Sequence, residues 1–259
     1  MELFPDYEMP AAPLADRLRP KNWERFIGQE HLIGEGLPLR KLLDSGAKLS
    51  FIFWGPPGTG KTTLARIAAR LTESEFYEIS AVNSGVADIR KVIESARKVW
   101  KSYQKGTVLF IDEIHRFNKA QQDAVLPHIE NGTFRLIGST TENPSFEVIP
   151  ALLSRCQTFH LKPLEREQIR DILNRTLLDT EQGLGDSGLQ ISPEAMDVIV
   201  SHANGDARRA LNLLEAVDNV VSQQDSKHVD LEIILGIIQQ AAILYDKKGT
   251  EHHDHASAF

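Results

Sequence analysis

Cysteine is almost missing: Cys156 is the only one in 259 residues. A single thiol cannot close an internal disulfide, so the fold must rest on a hydrophobic core, and a reducing, cytoplasmic setting is expected. Cys156 itself reads as a small core residue. Long apolar runs are missing too. No stretch approaches the roughly 18 apolar residues that cross a bilayer, and the opening MELFPDYEMP is acidic rather than basic and then apolar. Neither export nor membrane insertion is expected. Nor is there an excess of positive charge: 29 Lys plus Arg against 36 Asp plus Glu leave −7. The whole surface is therefore not a polycation that coats nucleic acid, and any such contact must be local. The local candidate is Arg90 to Lys105, where Arg90, Lys91, Arg97, Lys98, Lys101 and Lys105 oppose Glu94 alone. A solvated helix face explains the same charges.

What is present is a 41% hydrophobic, 25% charged chain, enough for one large domain or two small ones. Its composition changes near Lys162. Before that point, short β-rich apolar runs alternate with helical patterns: Leu49 to Trp54, Phe76 to Ser80, Thr107 to Ile111, Phe134 to Ser139 and Thr158 to Leu161. Strands alternating with helices imply an α/β fold with a parallel sheet covered on both faces. After it, helical periodicity predicts Glu165 to Thr180, Pro193 to His202, Ala207 to Val221 and Leu231 to Gln240. Ser192 before Pro193 is a good N-cap. The Gly/Asp-rich stretch Gln182 to Gly188 is expected to join two of these helices. In the last residues the string HHDH, with His252, His253 and His255, suggests a metal, but nothing orders it and a polar chain end accounts for it better.

Between the first strand and a helix starting near Lys61 lies GPPGTGKT, which fits G-x-x-x-x-G-K-[ST] in its strand, loop, helix context. Gly55, Gly58 and Gly60 permit backbone conformations in which successive N–H groups point at phosphate oxygens. The following helix N-terminus adds its positive dipole end. Lys61 brings a point charge to the β- and γ-phosphates, and the Thr62 hydroxyl can bind Mg²⁺. The run Gly55, Pro56, Pro57, Gly58, Thr59, Gly60, Lys61, Thr62 and Thr63 is thus the candidate contact surface for ATP. A chance match in a chain of this length is on the order of one in a hundred. The second element is VLFIDEIH, an apolar strand ending in two carboxylates at the edge where ligands bind in open α/β sheets. Asp112 fits a Mg²⁺ partner and Glu113 the base that polarises water. A third strand ends in Thr140, Thr141, Glu142 and Asn143, any of whose hydroxyl or amide groups could sit between water and γ-phosphate; ordinary turn chemistry before Pro144 explains them equally.

GPPGTGKT, the DEIH strand end, the STTENP turn, Ser154-Arg155-Cys156 and GDARRALN from Gly205 to Asn212 together resemble the AAA+ ATPases, and among them the clamp-loader group. The strings DEIHRFNKAQQDAVLPHIENG, GSTTENPSFEV and YDKKGTEHHDHASAF are similar to a branch of that group that works in replication-associated recombination. The resemblance implies a three-layer P-loop fold with a five-stranded parallel sheet in the order 5-1-4-3-2 over residues 1–162, and a small all-α lid over 163–240. Residues 241–259 would begin a C-terminal region that assembles the oligomer. It also implies that Leu14 to Gly34 lines the adenine pocket. Arg155 would be an arginine finger acting on a neighbouring subunit's nucleotide, Arg208 the sensor 2 arginine of the lid and Thr141 sensor 1, with Thr140 and Asn143 still open. Arginine suits such posts because its charge is permanent and its fork matches phosphate oxygens. The implied partners are DNA forks, ends or single-strand/duplex junctions, further copies of the chain, and replication proteins such as a single-strand-binding protein. A clamp-loader subunit or branch-migration motor is the competing enzyme. A nucleotide-bound scaffold would be marked by damage to Lys61, Asp112, Glu113 or Arg155, and all four are intact.

Overall fold

The computed structural model describes residues 12–46, 49–222 and 226–240. They fall into two compact units, Pro20–Glu165 and a second built from the segment up to Arg19 together with the chain from Arg166 onward. Residues 241–259, with the HHDH string, lie outside the described residues.

The first unit is a three-layer α/β sandwich. Its five parallel strands are β1 (Ser50–Trp54), β2 (Glu75–Ser80), β3 (Thr107–Asp112), β4 (Arg135–Thr140) and β5 (Cys156–His160), in the spatial order β2-β3-β4-β1-β5. Read from the other edge this is the 5-1-4-3-2 order expected. The three central strands are apolar on both faces because side chains alternate between two separate cores. Phe51, Phe53, Val108, Phe110 and Ile137 pack to one side with Leu64, Ile67 and Ala68 of the helix Lys61–Leu71. Ile52, Leu109, Ile111 and Leu136 pack to the other with Ile89, Val92 and Ile93 of the helix Val86–Tyr103. Cys156 starts the edge strand β5 and is half-buried rather than fully inside.

The second unit is mostly helical: Arg166–Leu178, Pro193–Ala203 and Ala207–Val221, with a further helix at 231–240. Ser192 caps the second of these by accepting the Ala195 N–H, and Asp206 caps the third by accepting that of Arg209. This unit differs from the expected lid in two respects. It contains a two-residue parallel pair, β6 (Gln190–Ile191) with β7 (His228–Val229), too short to leave any periodicity in the sequence. It also takes in the N-terminal helix Leu14–Arg17, which the expected division at Lys162 assigned to the sheet. The cause is packing: Leu14 is wholly buried, and its amide donates to Glu215 Oε1 of the helix Ala207–Val221 at 2.9 Å.

Candidate functional site: the carboxyl edge of the sheet

In a parallel sheet every strand delivers its last residue to the same edge, so motifs far apart in sequence converge there. Gly55, just after β1, donates its N–H to the carbonyl of Thr140, the last residue of β4, at 3.2 Å. Asp112 ends β3, and its Oδ1 accepts a short hydrogen bond from the Ser139 hydroxyl of β4. The Glu113 N–H reaches the same hydroxyl at 3.4 Å. Loop, carboxylates and the third polar turn thus share one locus.

The loop conformation depends on its glycines. Gly55, Gly58 and Gly60 have φ of 140°, 65° and 100°, a region that side chains avoid. A methyl group on Gly55 would stand 2.1 Å from the Leu161 carbonyl oxygen, and one on Gly60 2.7 Å from Phe26 Cζ. The turn is closed by the Thr59 hydroxyl, which donates to the Pro56 carbonyl at 2.9 Å. Lys61 is buried at the start of its helix, and its ammonium donates to the carbonyls of Gly55 and Pro56 at 2.7 Å each. Thr62 is half-buried in the first helical turn and Thr63 is buried below it. A cradle with no room for a Cβ at Gly55 or Gly60, backed by an ammonium group at a helix N-terminus, fits a polyphosphate. Mg²⁺ binds proteins through one or two oxygen groups plus substrate phosphate, and Thr62 and Asp112 carry oxygens that could hold it here. Among the described residues there is no cluster of three His, Cys, Asp or Glu able to hold a metal.

Two residues that the sequence did not mark hold this loop. Gln29, buried and itself at φ 62°, donates its amide to the carbonyls of Thr59 at 3.4 Å and Lys162 at 2.7 Å, and accepts the Lys162 N–H at 2.9 Å. Phe26 closes over Gly60. The segment expected at the adenine is divided: Leu14–Arg19 belongs to the helical unit and Pro20–Gly34 to the sheet unit.

Of the three residues left open at the end of β4, Thr140 is buried and engaged, its hydroxyl 2.9 Å from His115 Nδ1 and accepting the Glu142 N–H at 2.9 Å. Asn143 caps the short helix Pro144–Glu147 by accepting the Ser145 N–H at 3.0 Å. Thr141 is exposed. Glu113 takes φ 54°. Its Oε2 lies 3.2 Å from His115 Nδ1 without hydrogen-bond geometry, and is buried with no hydrogen-bond partner.

Arg155 lies away from this edge, just before β5 begins. Its guanidinium donates to the Ala151 carbonyl at 2.7 Å and pairs closely with Glu130, while the residue as a whole is exposed. With Arg97, Trp100, Glu130 and Arg135 it borders a cleft of about 730 Å³ at the opposite end of the strands from the phosphate loop. Arg208 is exposed in the first turn of Ala207–Val221, in the helical unit. Two of the bases in the stretch Arg90 to Lys105 are paired: Lys91 with Asp88 of the same helix, Val86–Tyr103, at 3.0 Å, and Lys105, beyond its end, with Glu75 of β2 at 3.0 Å. No helix among the described residues is long and apolar enough to cross a membrane.

Residues 51–164 match the model of the ATPase family associated with various cellular activities (AAA), and residues 185–259 match the AAA C-terminal domain. The chain belongs to the AAA ATPases. It is 47% identical to the replication-associated recombination protein A of Haemophilus influenzae over 95% of this chain and 55% of that protein. Identity to the Escherichia coli K12 protein of the same name is 46%, over 95% and 55%. It is 41% identical to the ATPase WRNIP1 of Dictyostelium discoideum, over 95% of this chain and 30% of the relative. The chain therefore spans about half the length of the bacterial relatives it matches. Among solved structures, the Thermotoga maritima RuvB Holliday junction branch migration motor superposes with a TM-score of 0.69 at 29% identity, covering 86% of this chain and 72% of that one.

Proposed function

We propose that this AAA ATPase hydrolyses ATP with Mg²⁺ to drive a DNA-dependent activity at stalled or damaged replication forks, in the cytoplasm. The observation that carries the chemistry is the meeting of Gly55, Thr140, Ser139 and Asp112 at one sheet edge, which sets the phosphate cradle beside two carboxylates. The fork assignment rests on the relatives named for replication-associated recombination.

Gly55 to Thr63 hold the triphosphate, and Lys61 exchanges its loop carbonyls for β- and γ-phosphate oxygens. Thr62 and Asp112 would hold Mg²⁺, which would supply neutralisation of the phosphate charge. Glu113 orients water and accepts its proton. We read Thr141 as the sensor 1 residue, a choice supported by the local bonds that Thr140 and the Asn143 Oδ1 already make. Arg208 is the sensor 2 arginine. Arg155, exposed and held by a carboxylate, is suited to serve the nucleotide of a neighbouring copy, so self-association is part of the activity.

The test is ATP turnover by the natural full-length protein, with and without forked DNA, beside Lys61→Ala and Arg155→Ala. Lys61→Ala is expected to lose nucleotide affinity. Arg155→Ala should keep affinity and lose about 10³-fold in rate, the scale of an arginine finger. Equal turnover by all three proteins removes the assigned roles. The RuvB likeness favours a second reading, a branch-migration motor, for which four-way junctions rather than forks would raise turnover most.

A further inference from the structure

One side chain joins the ends of β3 and β4, and none of the roles above uses it. His115 sits in the 3-10 turn Ile114–Arg116 that follows β3, with its side chain only 11% exposed. Its Nδ1 lies 2.9 Å from Thr140 Oγ1 and 3.2 Å from Glu113 Oε2. A carboxylate offers only lone pairs, so this nitrogen is best matched to its surroundings as an N–H. It carries one proton for two acceptors. In the observed arrangement the geometry favours Thr140, and Glu113 Oε2 is left buried without a hydrogen bond, a costly condition for a carboxylate oxygen. The backbone of Glu113, at φ 54°, adds local strain at the same point.

We propose that His115 is a positioning residue for Glu113, sharing one Nδ1 proton between Thr140 and the Glu113 carboxylate. Thr140 is the residue before Thr141, so any shift of that turn toward a γ-phosphate loosens the Thr140 contact and turns the N–H to Glu113 Oε2. Anchoring that oxygen leaves Oε1 to meet water. The carboxylate is then correctly aimed only when the turn at the end of β4 has moved, which ties proton acceptance to the state of the nucleotide. This rests on Glu113 being the base.

The test uses the natural full-length protein with His115→Asn, His115→Gln, His115→Ala and Glu113→Gln, reading ATP turnover against ATP concentration and affinity for a fluorescent ATP analogue. An asparagine amide reaches about where Nδ1 stands, whereas glutamine reaches the Nε2 position. Alanine and glutamine are expected to lower kcat by about tenfold or more with KM and analogue affinity within about threefold, and asparagine to restore kcat to within about threefold. Asparagine and glutamine behaving alike, loss confined to KM, or parental kcat throughout would each overturn the proposal. Should alanine not fold, analogue binding reveals it and the asparagine–glutamine pair decides. Glu113→Gln separates the two levels. If it keeps full turnover, the base assignment fails; if it is inactive while all His115 variants turn over normally, only the role of His115 fails.

Discussion

At Gly60 a single hydrogen in place of a methyl group decides whether the phosphate loop can form. Its φ of 100° and the Phe26 ring 2.7 Å from any Cβ act together. Gly60→Ala is expected to cost about 1–3 kcal/mol of backbone strain alone, read as a lower midpoint in urea unfolding, together with loss of ATP binding. Combining it with Phe26→Ala relieves the clash but not the φ, so recovery should be partial. Cys156 gives a second expectation. Burial pushes its thiol up to about 12, so it stays protonated at neutral pH and is a poor nucleophile. Alkylation at pH 8 should be slow in the native protein and fast in denaturant; rapid native labelling contradicts the burial. That the loop glycines, Lys61, Asp112 and Glu113 meet at one sheet edge was legible in the sequence, because each is a residue type that a strand, loop, helix motif demands at a fixed spacing. Gln29, Phe26 and His115 were not. Their roles come from contacts such as Gln29 to Lys162, 133 positions apart, which no local pattern records.

Among the elements, strands and helices stood out wherever both period and boundary signals were strong. Ala207–Val221 follows Asp206 and has five buried apolar positions on one face, while the parallel pair Gln190–Ile191 and His228–Val229 spans only two residues per strand and has no period to detect. Caps carry measurable weight. Ser192→Ala removes the acceptor of the Ala195 N–H and should destabilise the helical unit by about 1 kcal/mol, seen as a shifted urea midpoint at unchanged slope. The helix Pro193–Ala203 also carries an acid-sensitive group. Burial first, then the Arg209 guanidinium, holds His202 below its usual value of 6.5. A depressed folded value means the unfolded chain takes up the proton first, so this contribution is complete above the unfolded value and fades as pH falls through the folded one. Stability should therefore decline below about pH 6.5, and His202→Gln should flatten that decline; an unchanged slope rules out the contribution. His128 in the sheet unit is lowered by burial and then by Arg97 and works in the same direction.

At the level of the whole molecule, the helical unit is assembled from two stretches of chain separated by the entire sheet unit. Sequence composition pointed to a division near Lys162 but could not reveal that the segment before Arg19 belongs beyond it, because a four-residue helix with one buried leucine has no signature of its own. Leu14→Ala should cost about 2–5 kcal/mol in the unfolding of the helical unit while leaving the unfolding of the sheet unit unchanged. Equal destabilisation of both units would contradict the partition. Leu14 leaves the ribosome first, but Glu215, which receives its amide, is 201 positions later. At about 5–20 residues per second it waits some 10–40 s for its partner. The strands of the sheet are all made in that interval, so a segment synthesised before them is among the last to find its place.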